Sequence, residues 1–189
     1  QNQIVSPAPS TDGKGHIDYL DRFLASGGKK CIDIVAYHFY VTKSGPEPMV
    51  PLIREVHQVM QKNGIGEKPL WNTETGWRFG NDDGTPDHQM VRGYKQISAE
   101  DSNFMLKVFL LSKAEGVDRF YWYSWDNPYG LGLIDPKSGK PKRIVQQWRE
   151  SVDRLLGATQ LRCSQQGNKW TCSFVQKNGT PDEFSWIAE

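Results

Sequence analysis

The stretch Ile32-Asp33-Ile34-Val35-Ala36-Tyr37-His38-Phe39-Tyr40 restricts the fold of this chain more than any other. It is apolar at almost every position, so the strand it forms must be covered on both faces, as strands of parallel sheets are. The flanking segments supply the cover. Ile17 to Ala25 has helical spacing and stops at Gly27-Gly28; Leu52 to Met60 repeats the pattern and ends at Asn63-Gly64. The order continues through a short strand at Gln3 to Pro7, a strand at Lys68 to Thr73, a helix from Asn103 to Glu115, a strand at Asp118 to Trp125 and a helix from Ile144 to Leu156. Ser98-Ala99-Glu100-Asp101 has the form of an N-cap for the third helix. Four strands alternating with four helices predict a parallel α/β unit over residues 1–157. Residues 158–189 change character. Three short strand-like runs joined by Gly167-Asn168 and Asn178-Gly179 predict a small antiparallel β appendage.

Formal charge is +1, with acids and bases interspersed, which argues against a nucleic-acid or anionic-membrane surface. No apolar run approaches the roughly 20 residues of a membrane span. The four His and three Cys lack metal-ligand spacing, and Gly76 and Gly80 do not form a phosphate-cradling loop, so neither metal nor cofactor is expected. Cys163 and Cys172 flank a turn between two strand-like runs, which suits a disulfide across a hairpin and an oxidising compartment, secreted or periplasmic. Cys31 is left over, and its apolar setting predicts a small buried residue. The chain opens at Gln1 with neither an initiator Met nor a signal peptide, as a processed or excised piece would.

Parallel α/β folds place their chemistry where the strands end and the βα loops begin. Here the strand ends are Tyr37-His38-Phe39-Tyr40, Trp71-Asn72-Thr73-Glu74-Thr75-Gly76-Trp77 and Tyr121-Trp122-Tyr123-Ser124-Trp125-Asp126-Asn127. Each is aromatic and each carries a potential acid, base or hydrogen-bond donor. Singly, Glu74 fits an ordinary exposed acid, His38 a core histidine, Tyr40 and Trp125 packing residues, and Asp126 a simple turn. Seven Trp, seven Tyr and eight Phe fit either core packing or stacking on sugar rings. Strand parity puts His38 with Tyr40 on one face, and Leu70, Asn72 and Glu74 together on one face.

The segment Lys68-Pro69-Leu70-Trp71-Asn72-Thr73-Glu74-Thr75-Gly76-Trp77 resembles the seventh strand of the (β/α)8 barrels of clan A glycoside hydrolases. Ile34 to Tyr40 is similar to the sixth strand, Phe120 to Trp125 to the eighth, and Ile4 to Ala8 to the fifth. Family 39 is the nearest in character, and the resemblance spans about residues 3 to 157. It implies half of a (β/α)8 TIM barrel, with Glu74 as the nucleophile of a retaining enzyme on a β-linked oligo- or polysaccharide. His38, Tyr40, Asn72, Trp77 and Trp125 are then the substrate-binding residues. Donors such as Tyr40 or His38 would aim the carboxylate and keep it ionised, and Trp125 would floor the sugar subsite.

A retaining glycosidase also needs a second carboxyl to protonate the leaving oxygen, about 5–5.5 Å from the first. In the family that acid is a Glu preceded by Asn on strand four, and this chain contains no Asn-Glu pair. Three expectations follow: a fragment of a longer enzyme, a partner polypeptide carrying strands one to four, or a homodimer that closes a barrel. In the homodimer Asp126 of one copy faces Glu74 of the other as a stand-in acid. The alternatives are a non-catalytic carbohydrate-binding protein or inactive fragment, and an open-sheet α/β protein with unrelated chemistry.

Overall fold

The computed structural model describes residues 2–11, 16–85, 93–98, 101 and 103–188. Three parallel strands form its centre: β1 (Val35–Tyr37), β2 (Leu70–Thr75) and β5 (Val117–Trp122), in the order β1-β2-β5. Helices α1 (His16–Ala25), α2 (Met49–Lys62), α3 (Phe104–Ala114) and α4 (Ile144–Leu155) complete the α/β unit. Pro51 is tolerated inside α2 because it sits in the first turn, where its missing N–H would have no helical partner. Two short strands, β3 (Arg78–Phe79) and β4 (Gln96–Ile97), pair parallel within the long loop after β2. Part of that loop, residues 86–92, and residues 99 and 100 of the expected N-cap lie outside the described residues.

The strand expected at residues 3–7 is reduced to isolated parallel bridges, Val5 to Ile34 and Ser10 to His38. Pro7 and Pro9 have no N–H to give a ladder. Ser6 compensates with its side chain: its Oγ accepts the Ala36 N–H at 2.9 Å, while its own N–H donates to the Ile34 carbonyl at 2.9 Å. The segment thus runs beside β1, continuing the parallel order by one more position.

Val35, Tyr37, Phe39 and Val41 pack into the core with residues of α1 and α2, including Leu20, Leu24, Ile53 and Val56. Cys31 departs from expectation. It is exposed, because it closes the 3-10 turn Gly28–Lys30 at the rim, before the chain enters the sheet.

Helix α3 is buried nearly all round, as a helix enclosed by protein on both sides must be. Phe104, Met105 and Val108 join the core under the parallel sheet. Leu106, Leu110 and Leu111 face a second cluster built with Trp170, Cys172, Phe174 and Trp186. Those residues belong to an antiparallel sheet of β6 (Thr159–Gln166), β7 (Lys169–Val175) and β8 (Pro181–Ile187), ordered β6-β7-β8. Cys163 and Cys172 stand directly opposite in the β6/β7 ladder and are disulfide-bonded.

Two polar ties lock this sheet to the α/β unit. The Trp186 indole donates to Glu47 Oε1 at 2.7 Å. Arg154 of α4 holds Asp182 through two bonds of 2.8 and 2.6 Å. With a further bond from Gln176 Nε2 at 2.7 Å, the pair pulls the Asp182 carboxyl down to about 2, the Arg154 bond being the main cause.

Candidate active site

The ends of β1, β2 and β5 point the same way, as parallel strands must, so the three aromatic strand ends converge. Tyr40, just beyond β1 and nearly buried, donates its hydroxyl proton to Glu74 Oε1 at 2.9 Å. His38 stands near the same oxygen, its Nδ1 3.8 Å away, an ion-pair distance rather than a hydrogen bond. Burial, then the bond to Glu74, then the charges of Glu74, Tyr94 and Tyr123 push the Tyr40 hydroxyl far above the usual phenol range. Tyr40 therefore remains a neutral donor to the carboxylate.

Glu74 reaches this position through a break in strand parity. Asn72 pairs with Phe120 and Thr75 with Trp122, so β2 spends three residues where β5 spends two. This bulge re-aims the side chains that follow it. Leu70, Asn72 and Thr75 are buried, whereas Trp71, Thr73 and Glu74 are half-buried on the open side. The parity that grouped Glu74 with Leu70 and Asn72 does not hold, because the bulge lies between Asn72 and Thr75.

The residues flanking the bulge are tied to their neighbours. Thr75 Oγ1 donates to the Phe39 carbonyl at 2.9 Å, joining β2 to β1 directly beneath Tyr40. The Tyr123 N–H donates to the Thr75 carbonyl at 2.8 Å. Gly76 leaves room for that approach, since a Cβ there would stand 1.9 Å from the Tyr123 carbonyl oxygen.

Two expected substrate contacts are corrected. Asn72 is 1% exposed, and its amide nitrogen is placed to donate to the carbonyls of Glu74 at 3.0 Å and Tyr37 at 3.3 Å. It holds the backbone under the carboxylate and reaches no solute. Trp77 is 0% exposed, with its indole donating to the Ser44 carbonyl at 3.2 Å and its ring packed on Phe104 and Trp122. It is a core residue, because the chain after Gly76 turns back under the loop.

Trp125 is more than half exposed and lines a cleft of about 490 Å³ with Tyr121, Trp122, Leu133 and Trp148. Asp126 is exposed next to it and makes none of the contacts in the Glu74 cluster. Tyr94 and Tyr123 belong to the site although the sequence reading did not single them out. The Tyr94 ring meets Tyr40 edge-on at 6.3 Å, and Tyr123 is 39% exposed. Alternation along Tyr121, Tyr123 and Trp125 is the signal that pointed to Tyr123; Tyr94, in an irregular loop, had none.

The cluster is a solvent-reachable carboxylate at a strand end, hydrogen-bonded by the Tyr40 hydroxyl and with His38 beside it. Residues 1–136 match the family model described as the glycosyl hydrolase catalytic core. The chain belongs to this family. The match contains β1, β2, β5 and every strand-end residue of the cluster, and it stops before α4 and the antiparallel sheet. No curated protein matches the sequence.

Solved structures agree at the level of fold. A family 39 glycoside hydrolase from Bacteroides cellulosilyticus is 17% identical with a TM-score of 0.63, over 90% of this chain and 37% of its own. A family 128 (subgroup III) curdlan-specific exo-β-1,3-glucanase from Blastomyces gilchristii is 24% identical with a TM-score of 0.52, over 77% of this chain and 53% of its own. A glucosidase from Croceicoccus marinus is 10% identical with a TM-score of 0.60, over 91% of this chain and 39% of its own. The chain thus spans between 37% and 53% of the length of these proteins. This glycosyl hydrolase catalytic core is a mixed α/β fold similar to glycoside hydrolase barrels, family 39 among them.

Proposed function

We propose that this chain is the nucleophile-bearing half of a (β/α)8 barrel in a retaining glycoside hydrolase, with Glu74 attacking a β-linked saccharide. The bond from Tyr40 to Glu74 Oε1, at the bulged top of β2, is the observation that carries the reading. It leaves the carboxylate half-exposed, held at one oxygen and, among the described residues, without a partner at the other. In the first step that free oxygen forms a bond to the anomeric carbon, and the glycosidic C–O bond breaks with its electron pair leaving on the departing oxygen. Water then displaces Glu74 from the anomeric carbon. Trp125 floors the subsite, His38 and Tyr40 flank the carboxylate, and the curdlan-specific relative fits a β-linked substrate. Asn72 and Trp77 support the site from below.

The general acid comes from whatever completes the barrel along the outer edge of β5 and the residue 4–10 segment: further chain, a partner polypeptide or a second copy. In the second-copy arrangement exposed Asp126 is the stand-in acid, and Asp126→Asn lowers the rate on glycosides with poor leaving groups while sparing activated ones. The disulfide supports a secreted or periplasmic setting.

A dinitrophenolate departs without protonation, so activated 2-deoxy-2-fluoro glycosides test Glu74 independently of the acid. Intact-mass and peptide mapping should find one glycosyl adduct on Glu74 for at least one β-configured sugar, and none on Glu74→Gln. Saturable sugar binding with no adduct across the β-gluco, β-galacto and β-xylo series would make this a binding protein instead.

A further inference from the structure

Asn127 sits in the loop after β5 and is buried at 8% exposure. Its side-chain oxygen is already occupied, because the Tyr129 N–H donates to Oδ1 at 2.8 Å. That fixes the amide, so Nδ2 faces the Tyr123 phenol and donates to its Oη at 3.3 Å. A phenol oxygen that accepts a bond must aim its own proton elsewhere. Among the described residues, none takes that proton. The loop has no slack to change this arrangement: a Cβ on Gly132 would stand 2.7 and 2.9 Å from the carbonyl oxygen and nitrogen of Asn127.

Tyr123 is placed where such a proton is useful. Its N–H is bonded to the carbonyl of Thr75, the residue after Glu74. It is 39% exposed, and Trp125, two residues further on, is 53% exposed. The phenol is therefore solvent-reachable at the end of β5, the strand paired with the one that carries Glu74.

We infer that Tyr123 is a hydrogen-bond donor to a saccharide hydroxyl at C3, C4 or C6, and that Asn127 is the positioning residue that turns its proton toward the sugar. The inference rests on the reading of Glu74 as nucleophile. It makes Tyr123 a specificity determinant and separates its role from that of Tyr40, whose proton is committed to Glu74.

Asn127→Asp is the discriminating variant. One oxygen keeps the Tyr129 bond, and the other replaces a donor with an acceptor that captures the Tyr123 proton. The probe is 2,4-dinitrophenyl 2-deoxy-2-fluoro-β-glucoside, with its 3-, 4- and 6-deoxy analogues, and the readout is the second-order rate of Glu74 labelling. Loss of one neutral hydrogen bond predicts labelling about 3- to 10-fold slower for Tyr123→Phe. Asn127→Asp should match it, the double variant should be no slower than either, and on one deoxy analogue Tyr123→Phe should equal wild type. Wild-type rates in Tyr123→Phe, or losses that persist on every deoxy analogue, or losses that add in the double variant, overturn the inference. Absence of a Glu74 adduct on the wild type with the β-gluco, β-galacto and β-xylo probes alike takes down the nucleophile reading itself, and this inference with it.

Discussion

Gly76→Ala tests the link between the bulge and the site. A Cβ at position 76 would stand 1.9 Å from the Tyr123 carbonyl oxygen and 3.1 Å from its carbon, where ordinary contact begins at 3.4 Å. Clearing it takes about 1.5 Å of movement between the tops of β2 and β5. Both obstructing atoms are backbone, so no side chain can swing aside. The movement breaks the 2.8 Å bond from the Tyr123 N–H to the Thr75 carbonyl, worth about 1 kcal/mol, and overpacking adds about 1–3 kcal/mol. The sum is a loss of about 2–4 kcal/mol. With a urea slope of about 2 kcal/mol/M, the unfolding midpoint falls by about 1–2 M. Because Thr75 also anchors β1 through the Phe39 carbonyl, Glu74 labelling should slow as well. Gly80→Ala is the control. Its Cβ would meet Gln96 Nε2 at 2.4 Å, but that is the tip of an exposed side chain that can move away, so stability should change by less than about 0.5 kcal/mol. Equal midpoints for Gly76→Ala and Gly80→Ala would refute the argument that this close approach holds the site together.

Tyr40→Phe removes a charge-assisted bond of about 1.5–3 kcal/mol and should slow Glu74 labelling about 10- to 150-fold; because the Tyr40 hydroxyl titrates far above its ordinary range, the wild-type-to-variant ratio should stay flat between pH 7 and pH 9. Asp182 carries a depressed pKa of about 2, so its contribution to stability is complete above about pH 4, its unfolded value, and is lost as pH falls toward 2. Urea midpoints measured from pH 6 to pH 2 should therefore converge for wild type and Asp182→Asn, the gap at pH 6 being roughly 1–2 kcal/mol. Replacing Cys163 and Cys172 by Ala opens a loop closed at a sequence separation of 9, and should cost about 2.5 kcal/mol in chain entropy, read as a lower thermal midpoint under non-reducing conditions.

The parallel order was legible because it rests on bulk pattern: long apolar runs, helical spacing and Gly stops survive local irregularity. The antiparallel sheet was legible because two Gly/Asn turns and two cysteines mark a hairpin with its own register. Cys31 was misread because apolar neighbours in sequence say nothing about where a turn ends relative to the rim. Helix α3 shows a different limit. Its apolar residues run all round, which spacing alone reads as a strong helix without saying that two separate cores claim it.

The misassigned face of Glu74 has one cause, the bulge in β2. Regular alternation would have sent Glu74 to the side of Asn72, into the helices, where an ionised carboxylate is costly to bury. The bulge adds one residue and delivers Glu74 to the side of Trp71 and Thr73, within reach of Tyr40. The residues around it carry the compensating bonds: Asn72 to two carbonyls, Thr75 to Phe39, and Gly76 making room for Tyr123. A bulge leaves no periodicity for a sequence to display, since a strand with an inserted residue has the same composition as one without. What the sequence does display is the set of small or polar residues that such a break needs, Asn72, Thr73, Thr75 and Gly76, packed around one acid. Read as a group, they mark a strand end built to hold Glu74 against Tyr40 rather than one that merely happens to end in a glutamate.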